Sequence, residues 1–245
     1  MKKSTLCAIT LATIPGIASA DTIFGIYAGV GSWQSEFSGT FNTFTAANIN
    51  VENDLGIDDG SNNVLWVALE HPLPLIPNIK LKSTDIEISG EKTLSSSINF
   101  NNVPLNSGDS VTTELDLTHT DATFYYEILD NWISIDVGFT LRQFDGSLML
   151  TGTDSITIDE TIPLGYVMGK FELPFSGFYA GFEANAIGIG DNNVNDITAT
   201  LGYESSLRFG AELGYRVINV TLEDAANLDT DLDIAGIYIA ATLHI

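Results

Sequence analysis

The residues whose types and spacing offer chemistry are few: three histidines, one run of alternating aspartates and one oxygen-rich turn. His119 stands in Asp116-Leu117-Thr118-His119-Thr120-Asp121, so its imidazole and the Asp121 carboxyl, two residues apart, share one face of a strand. An imidazole held by a carboxyl is half of a general-base site. A protease built on such pairs needs a second one facing the first, and an acyl-transfer site needs an identifiable serine beside the histidine. Neither emerges from the sequence. His71 precedes Pro72, His244 is penultimate, and no GxSxG, HExxH, phosphate-loop or dinucleotide motif is present. His119 therefore reads as an ordinary strand residue, the chain as a non-enzyme, and no catalytic residue is assigned.

Asp229, Asp231 and Asp233 alternate like the opening of a helix–loop–helix calcium loop. Ile234 then stands where the sharp turn needs glycine, and no glutamate closes the loop. On a strand the three carboxylates share a face and are expected along one edge of a lumen mouth, as weak metal candidates. Asp58-Asp59-Gly60-Ser61-Asn62-Asn63 is a second, equally unspecific oxygen-rich turn. No cofactor is expected beyond loosely bound divalent cations.

These groups sit in an acidic chain of 245 residues, with 9 Lys+Arg against 32 Asp+Glu and a pI near 4.1, which excludes a nucleic-acid partner needing a basic face. The 44% apolar content, with 13 Phe and 8 Tyr, argues against disorder. Residues 1–20 read as a cleaved secretory signal peptide: Lys2 and Lys3, a short apolar stretch from Leu6 to Ile14, and a cut between Ala20 and Asp21 after Ala18-Ser19. The single cysteine, Cys7, lies inside that leader, so the mature chain at 21–245 is a single domain without disulfides. No apolar run reaches the roughly 18 residues of a transmembrane helix.

The period along the mature chain is two. Ile133, Ile135, Val137, Phe139 and Leu141 alternate with Ser134, Asp136, Gly138, Thr140 and Arg142, giving a strand with one apolar and one polar face. Similar alternation predicts strands near 23–36, 63–71, 79–90, 110–128, 132–146, 156–173, 178–189, 194–204, 207–222 and 232–245. Links after even strands are tight (72–78, 129–131, 174–177 and 205–206), whereas 37–62 and 91–109 are long and acidic. Ten strands with short turns at one end and long loops at the other predict an all-β transmembrane antiparallel barrel with short periplasmic turns and acidic extracellular loops. An extra hairpin within 91–109 would change the strand number. Phe124, Tyr125, Tyr126, Trp132, Phe171, Phe175 and Phe178 cluster near the short turns as an interfacial girdle. Gly25, Gly29 and Gly31 share the inward face of the first strand, leaving room for bulky partners across a tight lumen.

Several stretches also resemble an uncharacterised outer-membrane β-barrel family of Gram-negative bacteria: the start Phe24 to Trp33, Val67 to Leu81 around HPLPLIPN, Leu115 to Asp121, Tyr125 to Trp132 and Leu228 to Asp233. The resemblance spans nearly the whole mature chain. It implies fold and outer-membrane location, and it transfers no substrate or catalytic residue. The partners so implied are outer-membrane lipid, lipopolysaccharide and the outer-membrane assembly machinery.

If the large apolar positions face lipid, their neighbours fill the lumen. The expected charge network is Glu70, Lys80, Lys82, Asp136, Arg142, Lys170, Glu172, Glu183, Arg208, Glu212 and Arg216, with Asp196 and Glu204 beside it. In so narrow a barrel, near-balanced charges fit a paired polar core or a narrow channel. The function expected is thus a non-enzymatic, porin-like narrow or gated pore for small solutes or cations, or a closed envelope-structural barrel. The alternatives are a surface adhesin or receptor acting through 37–62 and 91–109, or an outer-membrane hydrolase using His119.

Overall fold

The computed structural model describes residues 24–43, 48–100, 103–151, 155–225 and 228–245. The expected leader, with Ala20 and Asp21, lies outside the described residues. Period-two sequence becomes strand throughout. First come β1 (Gly25–Thr43), β2 (Ile49–Asn50), β3 (Asp59–Glu70) and β4 (Asn78–Asp85). Next are β5 (Glu87–Thr93), β6 (Ile98–Phe100), β7 (Val103–Leu105), β8 (Ser110–Asp116), β9 (His119–Asp130) and β10 (Ile133–Phe144). β11 (Gly146–Leu150), β12 (Ile156–Ile158), β13 (Thr161–Glu172) and β14 (Phe178–Ile189) precede β15 (Asn192–Glu204), β16 (Phe209–Ala225) and β17 (Leu228–His244).

Ten of these close a barrel in the order β1-β3-β4-β9-β10-β13-β14-β15-β16-β17, every neighbour antiparallel, and β17 returns to β1. Backbone bonds in both directions between Ile26 and Ile245 close that last seam at the short-turn end. The outward face carries Ile26, Val30, Leu65, Val67, Ile135, Val137, Phe139, Leu213, Ile237 and Ile239, all exposed. Such a surface requires lipid, and the chain is a transmembrane antiparallel β-barrel. Near the short turns Trp132 packs edge-on against Phe171 and Phe178 lies beside Tyr203, as an interfacial girdle requires. Tyr125 departs from the expected girdle: odd-numbered residues of this part of β9 face inward, and it is buried in the lumen.

Strands three and four run as far as expected but not as barrel strands throughout. The β4–β9 hairpin bends at Ile86 and Thr118, where Ile86 N–H donates to Thr118 Oγ1 at 3.2 Å and Leu117 N–H donates to Ile86 C=O at 2.9 Å. Beyond the bend it continues as β5 paired with β8, and β11 and β12 join to make a separate four-stranded sheet. Residues 91–109 do contain a further hairpin, β6–β7, yet it lies outside the barrel and the strand number stays at ten.

This outer sheet, with β2 and the turn at 51–55, folds into a cap at the long-loop end. β1, β16 and β17, at 19, 17 and 17 residues, exceed the roughly 9–11 a bilayer needs. Their protruding inner faces present Phe37, Phe41, Leu232 and Ile234 to Ile49, Leu55, Ile57, Phe100, Leu105 and Leu150 of the cap. Each such side chain contributes on the order of 1.5–3 kcal/mol when removed from water, so the cap has a core of its own. The inward glycines of β1 are occupied as expected. A Cβ on Gly29 would collide with the Trp66 indole, and one on Gly31 would lie 2.8 Å from the Ile239 carbonyl oxygen. Gly29→Leu and Gly31→Leu should therefore each cost more than Gly25→Leu, which meets only the Tyr27 ring. Urea midpoints read by unboiled gel migration check this order, and equal midpoints for all three would sink it.

Candidate functional site

Inward-facing side chains divide the lumen into three levels. At the long-loop side, beneath the cap, Arg142 on β10 lies directly across from Asp121 on β9, while Asp196 on β15 lies two residues along from Thr198, the residue directly across from Arg216 on β16, and so shares its face. Strand register alone therefore makes two pairs. Arg142 donates from Nε to Asp121 Oδ1 at 2.7 Å and from Nη2 to Asp121 Oδ2 at 2.8 Å. The same Nη2 reaches across the lumen to Asp196 Oδ2 at 2.5 Å. Arg216 takes the same carboxylate from the other side, through Nε at 2.9 Å and Nη2 at 2.8 Å, and donates from Nη1 to Thr84 Oγ1 at 3.2 Å. All four charged residues are buried. Two guanidinium groups against two carboxylates leave the level neutral, which is how charges persist away from water. Above it, the Arg216 guanidinium lies 4.8 Å from the Trp33 ring centre, at the base of the cap's apolar core.

His119, at the top of β9, is buried beside this network. Its Nδ1 donates to the Leu117 carbonyl at 2.9 Å and among the described residues its Nε2 has no hydrogen-bond partner, while both Asp121 oxygens accept from Arg142. The expected strand-face proximity of His119 and Asp121 is present, but no catalytic dyad forms. Ligand atoms of His119, Asp121 and Asp196 all lie within 4.8 Å of one another. A divalent cation there would meet two arginines already on the carboxylates, so the donor set does not fit a metal.

One level down, Glu183 on β14 receives both Lys80 and Lys82 of β4, the latter at 2.7 Å. Lys80 also sits 4.9 Å from the Trp66 ring centre. Below these pairs the lumen widens into a cavity of about 390 Å³, whose rim includes Asp130, Ser134, Glu172, Glu204 and His244 at the short-turn end. Tyr125 donates to Glu70 at 2.9 Å, Tyr179 donates to Glu212 at 2.8 Å, and Lys170 pairs with Glu172 at 2.6 Å.

Of the eleven residues expected in the lumen, Glu70, Lys80, Lys82, Asp136, Arg142, Lys170, Glu172, Glu183, Glu212 and Arg216 line it. Arg208 does not. β16 begins at Phe209, so Arg208 lies exposed in the 205–208 turn, at positive φ and 3.3 Å from His244 Nε2. Asp229, Asp231 and Asp233 alternate with inward Leu232 and Ile234 and so lie on the outer face of β17 rather than along the lumen mouth, with Asp233 accepting from Asn219. Glu127 and Asp130 of the cavity wall, and the aromatic lining of Tyr27, Trp66, Tyr166 and Tyr238, were not anticipated. Tyr27 shares the parity of the inward glycines, a signal that was present.

No protein-family model and no curated protein matches the chain. Among solved structures, it is similar to the outer membrane protease OmpT from Escherichia coli, at 11% identity and a TM-score of 0.48, covering 90% of this chain and 96% of that one. An outer membrane channel from Pseudomonas putida F1 gives 10% identity and 0.42, covering 96% and 100%. The transport unit of the Escherichia coli autotransporter AIDA-I gives 10% and 0.38, covering 94% and 92%. Nothing about activity follows from likenesses this distant; the barrel rests on its own strand pairing.

The network generates a stability prediction. Arg142→Leu removes both hydrogen bonds to the Asp121 carboxylate and leaves it only Lys82 Nζ, 4.0 Å away, which should cost about 3–5 kcal/mol. Adding Asp121→Leu removes the orphaned charge and should recover most of the loss. Urea unfolding of the refolded proteins, followed by gel migration, reads both; a double variant no better than the single one would refute the neutral-network account.

Proposed function

We propose that the protein is a non-enzymatic barrel of the Gram-negative outer membrane that is closed to passage, exported by the leader at 1–20, with its cap at the cell surface and its short turns in the periplasm. The observation that carries this reading is the Arg142–Asp121–Asp196–Arg216 strut lying beneath an apolar cap. A solute crossing the lumen would have to part buried, paired charges and then open a hydrophobic core. Of the narrow pore and the closed structural barrel, the geometry favours the second. The location is supported by the apolar exterior, the aromatic ring at the short-turn end and the closed sheet, which leaves no barrel edge unpaired in lipid. The non-enzymatic reading is supported by the engagement of Asp121 with Arg142 rather than His119. Outer-membrane lipid, lipopolysaccharide and the assembly machinery are the partners such a protein meets. Exposed carboxylates such as Asp58, Asp59 and Asp231 would hold divalent cations loosely against lipopolysaccharide phosphates.

A surface receptor or adhesin is the second reading, and one observation favours it. On one face of the β5–β8 ladder, Glu87, Glu91 and Glu114 are exposed together, an ordered acidic surface rather than a loose loop. Deletion of 87–116 separates the readings: a receptor loses its binding, whereas a structural barrel keeps its insertion.

The closed barrel is tested by planar-bilayer recording of refolded protein whose folding has been verified by unboiled migration. Wild-type protein should give no conductance steps, and so should the variant lacking 87–116, because the strut lies below the cap. Discrete steps from folded wild-type protein would overturn closure; steps from the deletion alone would show that the cap, and not the strut, is the seal.

A further inference from the structure

The cavity at the short-turn end is unbalanced in charge. Its cations are committed elsewhere: Lys80 and Lys82 to Glu183, Lys170 to Glu172, and Arg216 to Asp196. On the wall made by β3, β4, β9 and β10 stand Glu70, Glu127, Asp130 and Asp136, beside the Glu183-bound Lys80 of β4. Among the described residues none of these four has an ion-pair partner.

A β-bulge concentrates them. Ile135 faces Leu129 across β9–β10, but the next residue, Asp136, faces Glu127, so Ile128 is an extra residue on β9. In a regular strand, residues three apart point to opposite faces. Here Glu127 and Asp130 both line the cavity, while Ile128 and Leu129 between them are both exposed on the outside. The bulge thereby adds Asp130 to the lumen and sets two carboxylates directly opposite each other, an arrangement that costs stability unless something positive lies between them. Asp136 is the most demanding member: it is 2% exposed, lines the cavity, and among the described residues its Oδ1 has no hydrogen-bond partner. An acceptor left so in a narrow lumen is an incomplete interaction.

A cation would complete these carboxylates, and its form follows from spacing. Among the described residues the only three metal-ligating groups that converge are His119, Asp121 and Asp196 under the cap. Among the described residues no three of the wall carboxylates converge in this way, which suits a cation with length rather than a bare ion. Tyr27, Tyr125 and Tyr166 also line the cavity, and aromatic faces favour ammonium groups, methylene stems included. At about 390 Å³ the cavity lies in the range of small-ligand sites. We propose that this cup binds a small organic polyamine from the short-turn side, its ammonium groups held by Glu70, Glu127, Asp130 and Asp136 and its stem against the tyrosines. The inference goes beyond the closed-barrel reading and does not need it, since a binding cup would survive in a leaky barrel.

Isothermal calorimetry on the refolded full chain in zwitterionic detergent at low ionic strength tests it, with putrescine, spermidine and magnesium chloride as probes. Spermidine or putrescine should bind saturably; Asp136→Asn should weaken that binding by about tenfold or more, the range for removing one partner of a buried charge pair, and Glu127→Gln, at an exposed wall position, should weaken it by a smaller but measurable factor. Glu160→Gln, on the exposed cap side, should leave it unchanged and controls for general surface acidity. Unboiled gel migration establishes that each variant is folded. Absence of saturable amine binding, binding that Glu127→Gln and Asp136→Asn leave intact, or saturable uptake of magnesium alone would each overturn the proposal.

Discussion

A strand in hydrocarbon must satisfy every backbone N–H and C=O within the protein, because no water is there to do it. Closure of β17 onto β1 meets that demand, and most other features of the chain answer to it. Once the sheet is a cylinder, strand parity has only two meanings, lipid or lumen. Ile133 to Leu141 and Leu207 to Val217 carry greasy residues at alternate positions because one wall meets acyl chains. Their neighbours are polar because the other wall encloses a narrow lumen, filled by paired charges at one level and hollowed into a cup at the next.

That narrow space sets the electrostatics. A single charge inside it is expensive, and the lumen answers with pairs that register creates: Arg142 opposite Asp121, Arg216 beside Asp196, and one hydrogen bond from Arg142 to Asp196 that joins the two across the barrel. The chain's large negative charge hardly enters this level. Where the lumen widens toward the short turns, pairing stops being complete, and the difference between a filled core and a cup is a difference in how many carboxylates lack a cation. The buried Asp136 oxygen marks that boundary.

How much of this was legible depends on whether parity held. Ten of the eleven lumen residues, including Lys80, Glu183 and Arg216, followed from counting by twos between unmistakable apolar positions. Parity fails where a strand starts late or gains a residue. Arg208 fell to the first cause, since the 205–208 turn is longer than the two serines that mark it. Asp130 falls in 129–131, expected as a tight link; β9 instead runs on to Asp130, and a bulge that leaves no signature in Glu127-Ile128-Leu129-Asp130 turns it inward. Tyr125 was read by residue type instead of by position: tyrosines do favour interfaces, yet its parity pointed inward with Thr123 and Asp121. The bend at Ile86 and Thr118 was invisible for a related reason, since β5 and β8 keep a strand pattern while their apolar residues turn from lipid to the cap's core.

The protein therefore contains two cores of opposite construction. The barrel keeps its polar groups inside and leaves its apolar surface in lipid, so unfolding within a membrane would bring little of that surface into contact with water. The cap buries Phe41, Ile57, Phe100 and Leu150 away from water in the ordinary way. Heat capacity of unfolding follows the hydration of apolar area, and it must reside mainly in the cap. Cooling weakens hydrophobic burial and leaves interstrand hydrogen bonds in lipid almost untouched. The lid of this barrel is consequently its thermally responsive part, softening at low temperature over a wall that does not.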